Sequence, residues 1–290
     1  MLNRPITLAL VMIGILSLAI ADPVSAQISA KNPQELQKID VDEHLGETIP
    51  LDLEFTDHNG NTVTLEKYFR KDKPVLLTLA YYECPMLCTL VLNGISKTVD
   101  SLSWTPGKDY QIVTVSIDPR ETAELAKAKH DLYLEQLDKQ VSGDDWAFLV
   151  GEESQSKKLA DALGFNYYYV EDKDIYAHPA VSYVLTEKGK ISRYLYGINF
   201  KKKNLRLALT EGSEGEVGTI TDKVLLYCYQ YNPDADGYVL VAENVMKLGG
   251  ALTVVILGSV LGVFWWREKH KDPQEYREQE VVREEVQEKV

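Results

Sequence analysis

The chain has 290 residues, 45% of them hydrophobic and 26% charged, the balance of a folded protein and not of a disordered one. With 31 Lys and Arg against 44 Asp and Glu its formal charge is −13, which disfavours nucleic acid as a partner, because affinity for phosphates rests on Lys and Arg. Three cysteines, Cys84, Cys88 and Cys228, are too few for a disulfide scaffold, and the sequence has no G-x-x-x-x-G-K-[ST] phosphate loop.

Residues 1–26 read as a secretory signal peptide. Arg4 is the short positive region, Ile6 to Ala21 is an uncharged apolar run, and Val24-Ser25-Ala26 is a small-residue cleavage site ahead of Gln27. An uncleaved anchor is the alternative, although the run is short for a span. Residues 27–47 are polar and irregular, a linker.

Residues 48–212 carry the pattern of one α/β domain. Leu51 to Phe55 and Thr62 to Leu65 alternate around the turn cluster Asp57-His58-Asn59-Gly60-Asn61, which predicts a hairpin. Val75 to Tyr82 is a continuous apolar run, a buried strand. It breaks at Cys84-Pro85, and Met86 to Val99 predicts a helix with Pro85 in its first turn. Gln111 to Ile117 is a strand closed by Asp118-Pro119, and Thr122 to Leu137 a helix. Trp146 to Val150 is a strand, Glu153 to Leu163 a helix stopped by Gly164, and Tyr167 to Val170 a short strand. Val181 to Thr186 and Lys190 to Tyr196 form a hairpin around Glu187-Lys188-Gly189, and Asn204 to Thr210 is a helix. Strands alternating with helices and ending in a hairpin predict a central mixed sheet flanked by helices.

Residues 213–246 form an extension of weaker pattern. Cys228, in Leu-Leu-Tyr-Cys-Tyr-Gln-Tyr, has no local partner and reads as a buried thiol among tyrosines, with a resolving or ligand role as the alternative. Asn232, Asp234, Asp236, Gly237 and Glu243 fit the spacing of a calcium loop, although Asn stands first and Leu240 ninth; an acidic turn is the plainer reading. Residues 247–266 contain the uncharged run Leu248 to Trp266, long enough for one transmembrane helix. Trp265 and Trp266 stand at an interface position. Arg267, Lys269 and Lys271 follow, which places the tail, residues 267–290, in the cytoplasm and the domain outside it. Gly258 and Gly262 have the spacing of a helix-packing motif.

The chemistry concentrates at the first strand-to-helix junction. Cys84-Pro-Met-Leu-Cys88 spaces two thiols four residues apart, within reach on one helix face. A helix N-terminus favours the thiolate, and two soft thiolates suit Cu(I), zinc or a reversible disulfide. A static staple gains little from so short a loop. Strand–Cys84-Pro-x-x-Cys88–helix, the run Ser116-Ile-Asp-Pro-Arg-Glu-Thr122, and a later His before a strand–Gly turn–strand together resemble the Sco/SenC family. The resemblance spans about Leu51 to Thr210. It implies a thioredoxin-like, membrane-anchored protein that binds copper, as Cu(I) or Cu(II), and helps assemble the copper site of cytochrome c oxidase. It implies that Cys84, Cys88 and His178 are the copper ligands, and it is the resemblance that selects His178 among His44, His58, His130, His178 and His270. Two thiolates and an imidazole suit both copper states.

Asp118 has two readings, a weak oxygen ligand or ligand support, and a cap for the helix near Thr122; the cap is favoured. Three features depart from the family's usual pattern. Pro85-Met86-Leu87 stands where an Asp commonly lies between the cysteines, Glu83 precedes Cys84, and the anchor is C-terminal. The expected function is that of a copper-delivering assembly factor, not a turnover enzyme. Its partners would be the copper-bearing oxidase subunit or another copper chaperone, at a bacterial inner membrane with the domain in the periplasm. The alternatives are a thiol–disulfide oxidoreductase acting through Cys84 and Cys88 on a partner's metal site, and a peroxidase on the same fold. His178 separates them, because a dithiol reductant has no need of a distant imidazole.

Overall fold

The computed structural model describes residues 39–269, apart from 71, 85, 215–219 and 233–236. The expected signal peptide, most of the expected linker, His270 and the remainder of the tail, and Asp234 and Asp236 of the calcium-like loop lie outside the described residues.

Seven strands form the main sheet: β1 (Glu54–Asp57), β2 (Thr62–Thr64), β3 (Val75–Ala80), β4 (Gln111–Ser116), β5 (Trp146–Val150), β8 (Val181–Leu185) and β9 (Ile191–Tyr196). Their order is β2-β1-β5-β4-β3-β8-β9. Strands β3, β4 and β5 run parallel, and the flanking pairs are antiparallel. Every residue of β3 and β4 is buried, as central parallel strands covered on both faces require. The helices are α1 (Leu87–Ser101), α2 (Ala123–Glu135), α3 (Glu153–Ala162) and α4 (Lys202–Gly212). Val91, Leu92, Ile95 and Val99 of α1 share one core with Leu205, Ala208 and Leu209 of α4. Leu159 and Ala160 of α3 lie in the second core, with Leu77, Leu79, Val113 and Val115 of the sheet. The β3-α1-β4 and β8-β9-α4 units give a thioredoxin-like arrangement, as expected from the sequence. Gly94 of α1 sits where a Cβ would meet the Ile198 carbonyl oxygen at 2.0 Å, so only glycine lets α1 approach the turn after β9 this closely.

The expected short strand at 167–170 forms as β6 (Tyr168–Val170), but it does not join the sheet. It pairs with β7 (Ile175–Ala177) in a separate two-stranded ribbon. The extension is ordered as α5 (Ile220–Cys228), β10 (Tyr229–Asn232) and β11 (Gly237–Leu240). It docks on α4: Arg206 Nε and Nη2 donate to the two Asp222 oxygens at 2.7 Å each, and Tyr238 donates its hydroxyl to Glu211 Oε2 at 2.7 Å. Cys228 is half-buried at the end of α5, a correction to the expected buried thiol. A single helix, α6 (Ala242–Lys269), carries the apolar run. Within Ala242–Arg267 the most apolar 18-residue window has mean hydropathy 2.1 and none of it is buried, so this helix is long and apolar enough to cross a membrane.

The stacked pair His58 and His130 fixes an acid limit on stability. Their rings lie 3.8 Å apart with planes inclined by 11°, both are buried, and His58 Nδ1 has no hydrogen-bond partner. Burial, then the charge of His130, push the His58 pKa below its ordinary 6.5; Asp57 and Asp144 oppose the shift and Lys127 adds to it. The folded chain therefore binds fewer protons here than the unfolded chain. The stability this group supports is complete above pH 6.5 and is lost as pH falls through the folded pKa. Urea denaturation between pH 7.5 and 5.5 is expected to show a loss of up to about 1.4 kcal/mol per pH unit from this one imidazole. His58→Asn is expected to flatten that part of the profile, and an unchanged acid limb in the variant would count against the assignment.

Candidate metal centre

The register of the sheet explains why three distant residues meet. Strands β3 and β4 are parallel and paired to their ends, Ala80 opposite Ser116, so the Cys84 turn and the Asp118 loop emerge side by side. Strand β8 runs antiparallel to β3 with Ser182 opposite Thr78, so the chain enters β8 where β3 leaves off. His178, four residues before Ser182 and just before Pro179, is thereby delivered to the Cys84 turn.

Cys84, Cys88 and His178 are all buried, and their ligand atoms lie within 4.8 Å of one another. No other such group of three occurs among the described residues. Sequence spacing placed both cysteines on one helix face. Instead α1 begins at Leu87, so only Cys88 is helical and Cys84 sits in the turn before it. Their sulfurs still converge, because the Cys88 N–H donates to Cys84 Sγ at 3.3 Å. The Tyr81 N–H donates to Cys88 Sγ at 3.4 Å, and Cys88 Sγ lies 3.1 Å from His178 Nε2. His178 Nδ1 is 2.9 Å from the Pro179 carbonyl oxygen. A carbonyl only accepts, so Nδ1 carries the hydrogen and Nε2 turns its lone pair to the sulfurs, the arrangement a metal-binding imidazole requires. Tyr81 meets the imidazole edge-on at 5.9 Å, and Phe165 packs against it at 5.8 Å.

The two thiols are pushed apart in acidity. The hydrogen bond from Cys88 pulls the Cys84 pKa well below the ordinary thiol value against the opposing effect of burial, with the Cys88 and Met86 amides helping. The Cys88 pKa is raised, first by that same bond to Cys84 and then by burial. Cys84 is thus the more acidic thiol of the pair. Both cysteines are free thiols in this structure.

Asp118 is a correction to the cap reading. It does not belong to the three-residue group, and the α2 cap is Thr122, whose hydroxyl oxygen accepts from the Leu125 N–H at 3.4 Å. The buried Asp118 carboxylate is held by Arg120. Glu121, in the same run, has a role the sequence did not reveal. Its Oε1 accepts from the Glu83 N–H at 2.8 Å and its Oε2 from the Ser116 hydroxyl at 2.5 Å, which braces the turn just before Cys84. Burial raises its pKa against those two bonds. Tyr81, Glu83, Asp118, Arg120, Glu121 and Asp174 line a cleft of about 440 Å³ beside the turn. Cys228, at the far end of α5, is not part of the group, nor are His44, His58 or His130.

The SCO1/SenC family model matches residues 42–209, more than half of the chain, and the chain belongs to that family. Similar solved structures include a protein of Aquifex aeolicus VF5 described as a candidate electron transfer protein. It is 29% identical over 58% of this chain and 94% of its own, with a TM-score of 0.52. ScoI of Arabidopsis thaliana with copper bound is 22% identical over 59% and 97%, TM-score 0.44. ScoI of Bradyrhizobium japonicum with copper bound is 24% identical over 59% and 98%, TM-score 0.42. No curated protein sequence matches the chain.

Proposed function

We propose that this chain is a membrane-anchored copper carrier that holds the ion between Cys84, Cys88 and His178 and passes it to the copper site of cytochrome c oxidase. The observation that carries this reading is the convergence of two thiols and one imidazole lone pair in a buried group. Soft sulfur donors favour Cu(I), and the added imidazole lets the same set accommodate Cu(II). Family membership supports the reading. The recipient would be the oxidase's copper-bearing subunit or another copper chaperone.

The anchor is α6. The cluster Arg267, Lys269 and Lys271 after its apolar stretch favours a cytoplasmic tail, and with the signal peptide it favours a domain in the periplasm of a bacterial inner membrane. The unequal acidity of the two thiols supports a companion role as a thiol–disulfide reductant. In that role the Cys84 thiolate attacks a partner disulfide and releases one partner thiolate. Cys88 then displaces the second, leaving a Cys84–Cys88 disulfide.

The deciding experiment is an anaerobic titration of the reduced full-length chain in detergent with Cu(I) against a competing chelator, with zinc in parallel. One equivalent of copper is expected, held against excess zinc. A chain that keeps zinc and yields no copper complex would refute the copper reading.

A further inference from the structure

His178 reaches the sulfurs from the end of β7, so its position depends on whatever holds the β6–β7 ribbon. The ribbon has two strands of three residues each, none fully buried, and stands outside the main sheet. Such a ribbon has little stability of its own. A charged side chain from the loop after β4 grips it. Arg120, in the loop after β4, donates through Nε to Asp118 Oδ1 and Oδ2 at 2.9 and 3.1 Å, and through Nη2 to Oδ2 at 2.7 Å. Its Nη1 donates to Asp174 Oδ1 at 2.7 Å and lies 3.4 Å from the Tyr169 hydroxyl. The guanidinium also stands over the rings of Tyr169 and Tyr176, at 5.1 and 6.0 Å. Tyr169 donates its hydroxyl to Asp174 in turn. Asp174, with φ of +50°, is the turn of the ribbon.

These contacts run on to the metal group. Tyr176 packs edge-on against Tyr81 at 5.7 Å, Tyr81 packs against the His178 ring, and the Tyr81 amide holds Cys88 Sγ. One end of the bridge is stiff, because the Asp118 side chain is only 5% exposed. The other end is the exposed Asp174, where an isolated ion pair contributes little to stability. The bridge therefore orients far more than it stabilises.

We infer that Arg120 is a positioning residue, a latch that fixes the β6–β7 ribbon to the Asp118 loop and so sets His178 against Cys84 and Cys88. It touches neither sulfur. The inference rests on the copper reading for its consequence, though not for its geometry. Only a planar fork satisfies Asp118 and Asp174 at once while stacking on two rings, so lysine is a poor substitute.

The test uses the full-length chain in detergent with Cu(I) as the probe, comparing Arg120→Ala, Arg120→Lys, His178→Ala and the Arg120→Ala/His178→Ala double variant. Arg120→Ala is expected to weaken copper binding by about tenfold, as loss of a residue that orients a ligand does, with lysine restoring only part. In the His178→Ala background the same change is expected to cost nothing further, since the latch acts through the imidazole. No loss in Arg120→Ala, or an equal loss without His178, would overturn the inference.

A second readout needs no metal. Carbethoxylation of His178 by diethylpyrocarbonate, followed by peptide mass, is expected to run several-fold faster in Arg120→Ala, while His58 and His130 in their buried stack keep their wild-type rates. An unchanged rate at His178, or a rise at all three histidines, would also overturn it. If the wild-type chain binds no copper and His178 alone still gains reactivity, the copper reading fails and the latch stands.

Discussion

Replacing Cys88 with Ser is expected to weaken Cu(I) binding at least about a hundredfold, or ~2.7 kcal/mol, and Cys84→Ser by as much, while both variants stay folded. The loss follows from the donor set: a hydroxyl is a poor donor for a soft monovalent ion, and two remaining ligands cannot close the site. Folding survives for a different reason. The two cysteines are four residues apart and reduced, so neither closes a loop on which the domain depends. A serine at 88 keeps a hydrogen-bond partner in His178 Nε2, so its buried hydroxyl is not stranded. Far-ultraviolet circular dichroism with a thermal scan would check the fold, and chelator competition the affinity. A folded Cys84→Ser chain that still holds one equivalent of copper as tightly as wild type would show that the metal lies elsewhere.

The parts of this site that are local were legible in the sequence, and the parts that depend on register were not. The apolar run from Val75 and the break at Cys84 announce a buried strand ending in a thiol turn, and that is where β3 ends. The run misleads only at its edge. Tyr81 and Tyr82 leave the strand because they have polar duties: the Tyr81 amide serves Cys88, and the Tyr82 hydroxyl donates to the Leu149 carbonyl at 2.7 Å. His178 could not be chosen by spacing. What brings it to Cys88 is the antiparallel pairing of β8 with β3, a contact between segments 104 residues apart at Thr78 and Ser182.

Strand β7 was missed because Ile175-Tyr176-Ala177 is too short to show a period and follows a run of charged residues. Arg120 and Glu121 stood in the quoted run, yet charged loop residues read as solvated. Nothing nearby in sequence says that one reaches the amide before Cys84 and the other the turn at Asp174. The extension lacked a clear pattern for a related reason. Its hydrophobic side chains are spread over a nine-residue helix and two four-residue strands that are organised by α4, not by their own periodicity.

Copper and a Cys84–Cys88 disulfide compete for the same two sulfurs, which ties metal affinity to redox potential. Reducing the disulfide takes two electrons, with protons according to the acidity of each thiol, and gives the separate cysteine pair, the only form that can bind the ion. A ligand that binds only the reduced form stabilises it by RT ln(1 + [L]/Kd), about 2.7 kcal/mol at a hundredfold excess over Kd. For a two-electron couple about 30 mV corresponds to 1.4 kcal/mol, so copper at that excess is expected to raise the potential of the pair by ~60 mV. Protein poised with mediators at set potentials, then trapped with a thiol reagent and resolved by gel shift, reads the midpoint directly.

His178→Ala separates the two roles. If losing the imidazole weakens copper tenfold, the same copper concentration gives a shift of only about 30 mV. Without copper the variant loses the imidazole's hydrogen-bond contact to the thiol pair, the 3.1 Å approach of Nε2 to Cys88 Sγ. One hydrogen bond is worth about 1 kcal/mol, so the copper-free midpoint should move by no more than ~20 mV. A much larger copper-free displacement, with no copper-dependent shift in the wild type, would make His178 a tuner of thiol chemistry and favour the reductant role over the carrier.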